Sequence, residues 1–290
     1  MELLLQLIIN GIVAGSIYVL LGLSFGMIFW TTGTLHFAHG AVYSIAAYFA
    51  VQFVAWQFPL PVAWTLSIVV AAGAGIGIEQ FVYKPLRGRG ASLFEVLVAS
   101  LGVYILVQNL LLIIWKADPR VLPIPEFLEG TIIFGGLSIT LFQLFILVVC
   151  LAIWAVLYVY IKRSKMGRFV RAVESDAELT EIAGIDGAKV YLFVYGVGSA
   201  LVGMAAILFS TSVGLESHSG LTAGLLAFII SIVGGWSNYT GPLVAGFLLG
   251  LVENIGIWQI PSEWKPVIAF GVLIIFVLFK PTGILGKKET

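Results

Sequence analysis

The sequence predicts an all-α polytopic membrane protein, a bundle of about 8–9 transmembrane helices with one polar helical segment outside the bundle. Three observations predict this. Hydrophobic residues make up 60% of the 290 residues and charged residues only 10%, where a soluble domain carries about 25% charge. The mean hydropathy is +1.07. The apolar residues also gather into runs close to the length a bilayer requires.

A hydrocarbon core about 30 Å thick needs about 20 apolar residues per helix. On that measure the segments are 4–29, 40–57, 62–82, 93–115, 138–161, 190–213, 222–236, 241–258 and 265–280. Segments 222–236 and 265–280 are short, and 222–236 could be a broken or re-entrant piece. The opening MELLLQLIING has an acid at position 2. It lacks a positive n-region and a small-residue cleavage site, so it reads as the first span and not as a removable signal. No fixed-period repeat is visible, and residues 1–290 read as a single membrane domain.

The cations orient it. Lys84, Arg87 and Arg89 share one loop, Lys162, Arg163, Lys165, Arg168, Arg171 and Lys189 another, and Lys280, Lys287 and Lys288 the tail. Alternating through nine segments puts these 12 of the 15 Lys and Arg on one side, opposite Lys116, Arg120 and Lys265. The positive-inside rule makes that side cytoplasmic, with the C-terminus inside. The N-terminus would be outside, and an even segment count would move it inside. The 116–137 loop, with three prolines and Asp118, Glu126 and Glu129, is expected outside either way.

The longest polar interruption is 162–189. At 100° per residue Phe169, Val170, Val173, Ala177 and Thr180 fall on one side of a helix, and Arg168, Arg171, Glu174, Ser175, Glu178 and Glu181 on the other. Gly184 and Gly187 then stop it. A solvated loop carrying a little helix is the plain alternative. Within the spans, Gly11–Gly15, Gly22–Gly26 and Gly246–Gly250 have small-xxx-small spacing, and Gly73, Gly75 and Gly77 cluster. Such spacing lets helix backbones approach in lipid.

Several chemistries are disfavoured. The net charge of zero and the absence of a basic, aromatic-interleaved patch argue against nucleic acid. One cysteine, Cys150, allows neither a disulfide framework nor a cysteine metal site. No phosphate-binding loop exists, the run Gly283 to Lys287 having the wrong spacing, and no protease or hydrolase motif is present. No catalytic residue and no cofactor are expected. His36 and His39 form an i,i+3 pair without a third ligand, which argues against metal.

Glu253, beside Asn254, lies well inside an apolar run. A charge there costs at least ~2.5 kcal/mol unless it faces protein or water. It either lines a pathway or fixes packing. Gln108 and Asn109 pose the same question more weakly, while Glu79 and Glu95 are expected to be wetted near the cytoplasmic surface. Two irregular stretches, TTGTLHFAHG at 31–40 and GGWSNYTGP at 234–242, either line a cavity or simply connect helices.

These phrases together resemble the branched-chain amino acid ABC transporter permeases of the LivH type. The similar elements are QLIINGIVAGSIYVLLGLSFGMIF, Phe37-Ala38-His39-Gly40 and GRFVRAVESDAELTEIAGID. To these add GGWSNYTGPLVAGFLLGLVEN and the closing stretch from Phe279 to Gly286, all collinear from about residue 6 to 286. The resemblance implies a transport subunit without enzyme activity, in the lipid bilayer of a bacterial inner membrane. It implies as partners a second homologous permease subunit, two cytoplasmic ATP-binding subunits and an extracytoplasmic solute-binding protein. It makes 168–183 a coupling helix, with Arg168, Arg171, Glu174, Glu178, Glu181 and Gly184 as ATPase-coupling residues.

The translocation-path candidates are His36, Phe37, His39, Gly40, Glu253 and Asn254. Family members usually carry Asn where His36 stands and often an acid where Ala41 stands. The cargo therefore stays open among branched-chain or related amino acids, amides and urea-like solutes. The alternatives are a self-sufficient secondary transporter or channel, an intramembrane enzyme, or a scaffold.

Overall fold

The computed structural model describes residues 2–280 and 282–286; the tail cations Lys287 and Lys288 lie outside them. At its centre stands α1 (Glu2–Thr32), buried almost without interruption from Val13 to Thr31. Its apolar residues run all round the helix, so it can be stable only when surrounded. The helices α6 (Leu141–Arg163), α9 (Gly187–Val213), α10 (Ser219–Gly234) and α11 (Gly241–Gly256) surround it. The helix α2 (His39–Ala55) packs on α9, α10, α3 (Leu60–Ile78) and α5 (Leu93–Trp115). Each of the nine apolar segments contains a helix, the last being α12 (Lys265–Phe279).

Their lengths differ in a way the hydropathy runs did not show. Among the described residues six helical stretches are long and apolar enough to cross a membrane, while α2, α10 and α11 are shorter. A 16-residue helix rises only about 24 Å. The α10 helix is continuous from Ser219 to Gly234, so this segment is not broken.

The outer surface is that of a protein in lipid. Ile113 on α5, Val156 on α6 and Leu278 on α12 are 77%, 69% and 72% exposed. Several hydroxyls of the spans are instead inside. Ser16 and Ser24 are fully buried and donate to the Val13 and Leu21 carbonyls at 2.6 and 2.7 Å, which satisfies them without water.

Glycine spacing works at one interface above all. A Cβ on Gly11 would sit 2.9 Å from the Gly250 carbonyl oxygen, and one on Gly250 would sit 2.6 Å from the Gly15 Cα. The α1 and α11 backbones therefore touch. The Gly73–Gly77 cluster does not behave as one unit: only Gly75 packs, against α9, and Gly73 and Gly77 have open space beside them.

Two features depart from an all-α reading. The loop after α5 carries a hairpin of β1 (Thr131–Phe134) and β2 (Leu137–Thr140), so a short strand occupies the start of the expected 138–161 span. Gly135 and Gly136 supply the two positive φ values its two-residue turn requires. The Gln6 side chain holds the hairpin to α1, donating to the Ser138 carbonyl at 2.8 Å and accepting from its N–H at 2.9 Å. The second departure is a π turn at Glu79–Tyr83 that joins α3 to α4 (Lys84–Gly88). Glu79, expected to be wetted, is 1% exposed and paired with Arg87. Its neighbour across the loop, Glu95, is exposed and caps α5 with Ser92.

Candidate functional site

The polar segment forms two helices where one was expected, α7 (Lys165–Ser175) and α8 (Ala177–Ile182). Asp176 divides them. Its backbone is extended, and its carboxylate accepts from the Leu179 N–H at 2.9 Å, which caps α8. Ser164 caps α7 in the same way through the Gly167 N–H at 2.8 Å. Val170, Val173 and Thr180 are buried as the periodicity requires, while Ala177 is exposed. Arg168, Arg171, Glu178, Glu181 and Gly184 are exposed.

Glu174 departs from its expected outward face. It accepts hydrogen bonds from Ser237 at 2.8 Å, Thr31 at 3.3 Å and the Tyr239 phenol. Burial pushes its carboxyl above the ordinary range, against the hydrogen bonds from Tyr239, Ser237 and Thr31. It ties α7 to the end of α1 and to the α10–α11 turn. Arg171 also turns partly inward, donating to the Ile161 carbonyl. What α8 offers outward is apolar as well as charged: Leu179 and Ile182 are 62% and 77% exposed.

The 31–40 stretch is a buried polar knot. His36 and His39 are both fully buried. His36 Nδ1 lies 2.8 Å from the Tyr83 hydroxyl, which donates to Ser100 Oγ at 2.8 Å. Ser100 Oγ also accepts from the Ala38 N–H at 2.9 Å, and His39 Nε2 lies 2.8 Å from Ser24 Oγ. These bonds fix the α1–α2 link to the π turn after α3 and to α5. Gly40 lies against the backbone of Gly220 and Gly224 on α10. His36, Phe37, His39 and Gly40 line neither of the cavities described next. Among the described residues no third His, Cys, Asp or Glu completes a metal cluster with the two imidazoles.

Glu253 and Asn254 do reach a cavity. It is about 430 Å³ and opens between α1, α6, α9, α10, α11 and α12. Glu253 is 1% exposed and accepts from the Tyr18 phenol at 2.6 Å. Lys265, the first residue of α12, lines the same cavity and donates to Asn254 Oδ1 at 3.3 Å. The ion pairs among the described residues are Arg87–Glu79 and Lys189–Asp186, so Glu253 and Lys265 face one space without pairing with each other. Asn10 and Gln143 add polar wall, and Ile17, Phe209, Leu226 and Phe270 add apolar wall. A second cavity of about 220 Å³ shares Tyr18, Phe209, Thr222 and Leu226 with the first. Sequence reasoning missed Tyr18, whose partner Glu253 lies 235 residues away and leaves no local signal, and gave Lys265 no role beyond charge counting.

A profile of the family described as "Branched-chain amino acid transport system / permease component" matches residues 7–278. The chain belongs to this family. Membership makes it a permease component of a transport system and not an enzyme. It is 34% identical to the high-affinity branched-chain amino acid transport system permease protein BraD of Pseudomonas aeruginosa, over 98% of this chain and 96% of that protein. It is 29% identical to the LivH permease protein of Escherichia coli, with the same coverage of 98% and 96%. Among solved structures it resembles PsaBC from Streptococcus pneumoniae in complex with Fab, with a TM-score of 0.54 and 11% identity. That match covers 97% of this chain and 93% of that one. At that identity the likeness speaks for the fold alone.

Proposed function

We propose that this permease is one membrane subunit of an ATP-driven importer and forms part of the path for branched-chain or related amino acids. The observation that carries the reading is the near-full-length similarity to BraD and LivH, together with a mostly apolar cavity inside the bundle that a few polar groups line. Pocket size agrees with a small solute, since ligand sites run from roughly 300 to 1,000 Å³.

The assembly we propose has a second homologous permease, two ATP-binding subunits on the cytoplasmic face and a solute-binding protein on the other. The chain would cross a bacterial inner membrane eight or nine times, with its cation-rich side and C-terminus inside. The α7–α8 pair would be the coupling element. Leu179 and Ile182 would enter a groove on an ATP-binding subunit, and Arg168, Arg171, Glu178 and Glu181 would set the fit. Gly184, at φ +80°, ends α8 and turns the chain back toward α9. Glu174 would then transmit movement from α7 to the bundle.

The test is a mild-detergent affinity purification from the native membrane, followed by mass spectrometry and an ATPase assay. Recovery of a second permease and ATP-binding subunits, with hydrolysis stimulated by a binding protein, supports the reading. A chain that purifies alone and transports in liposomes under an ion gradient overturns it, in favour of a secondary transporter.

A further inference from the structure

An isolated charge in an apolar bundle is costly, and the larger cavity holds two of opposite sign. Glu253 sits in the last turn of α11 and Lys265 opens α12. One Glu253 carboxylate oxygen accepts from Tyr18, and no hydrogen bond among the described residues engages the other. Lys265 is held by Asn254 on one side, which leaves donors free on a three-donor ammonium. The two groups share the cavity wall without forming an ion pair with one another.

We propose that Glu253 and Lys265 form a subsite for the zwitterionic head of an α-amino acid in transit. Glu253 accepts from the α-ammonium and Lys265 donates to the α-carboxylate. This rests on the import reading above and adds to it the groups that recognise the cargo. The helix ends favour the same arrangement. The C-terminal end of α11 carries partial negative charge beside the ammonium, and the N-terminal end of α12 partial positive charge beside the carboxylate. An aliphatic side chain then meets Ile17, Phe209 and Leu226, the last two of which continue into the smaller cavity. A solute with only one of the two charges leaves Glu253 or Lys265 desolvated and unpaired, so the site discriminates against it.

The one thiol of this chain, Cys150, is fully buried, so a cysteine placed at Ser212 on the cavity wall is the accessible one in this chain, and its labelling is read on this chain after the subunits are separated. The complete transporter carrying Ser212→Cys is reconstituted in liposomes, and thiol labelling is followed with L-leucine, leucinamide or 4-methylpentanoate present. L-Leucine is expected to protect the thiol, and the two single-charge analogues to protect roughly ten- to a hundredfold more weakly. Glu253→Gln and Lys265→Gln should weaken protection by L-leucine to the same degree, while Lys265→Arg retains it.

Retained ATP-binding subunits and an unlabelled Cys150 show that each variant is folded. Protection by an analogue as strong as by L-leucine, or no protection by L-leucine, overturns the subsite; so does unchanged protection in both Gln variants. Uptake of labelled L-leucine by the wild-type liposomes separates the two claims. Uptake without selective protection removes the subsite alone, whereas a transporter that moves no amino acid removes the import reading and the subsite with it.

Discussion

The Tyr239 phenol, in the turn between α10 and α11, donates a hydrogen bond to the Glu174 carboxylate on α7. Ser237 and Thr31 complete the cradle, so one carboxylate joins the polar helix to two elements of the bundle. A helix held in this way moves with the bundle. The plainest consequence concerns coupling. Hydrogen bonds to a charged group contribute about 1.5–3 kcal/mol each. Glu174→Ala should therefore loosen α7 strongly, and Tyr239→Phe to a smaller extent. Hydrogen exchange of the α7 amides should quicken in that order, and the ATP hydrolysed per solute imported should rise. Unchanged exchange in Glu174→Ala would mean that the cradle does not hold α7.

Asp176 makes a separate prediction. Its carboxylate caps α8, and losing such a cap costs about 1 kcal/mol. Asp176→Ala should fray α8 and leave α7 intact, with faster exchange at Leu179 and Thr180 only. Asp176→Ser, which restores a capping oxygen, should recover protection.

The glycines divide into contacts and spectators. A Cβ on Gly250 would come 2.6 Å from the Gly15 Cα, so even Gly250→Ala forces α1 and α11 apart, at a cost of about 1–3 kcal/mol. Gly73→Ala has open space and gains up to about 1 kcal/mol from helix propensity. Thermal exposure of the buried Cys150 thiol to a fluorogenic reagent reads both, with the midpoint falling for Gly250→Ala and holding or rising for Gly73→Ala.

His36 tests where cargo selection resides. Because it is fully buried and bonded to Tyr83, outside both cavities, His36→Ala should destabilise the fold by about 1–3 kcal/mol. The ranking of solutes in competition uptake should not change. A reordered profile at full stability would place this stretch on the path.

The sequence by itself determined the class of the protein and the positions of its helices. Each of the nine apolar runs holds a helix, because an apolar run is visible locally, but among the described residues only six helical stretches reach the length of a crossing. It also marked the buried faces of Val170 and Val173, the small-residue spacing at Gly11–Gly15 and Gly246–Gly250 and the oddity of Glu253, since a short period or a lone acid in hydrocarbon is visible in any short window. It did not show that α1 and α11 meet at those glycines. Only the tertiary structure decided what those residues meet. Glu174 shares the charged face of α7 with Arg168 and Arg171, and the α10–α11 turn, arriving from 63–65 residues away, and Thr31 at the end of α1 take it inward. Glu79 read as a wetted acid until Arg87 folded back across the π turn to pair with it. Tyr18 joined Glu253 and Lys265 around one cavity through helix packing across 235 residues, and packing between distant segments has no local signature in the chain.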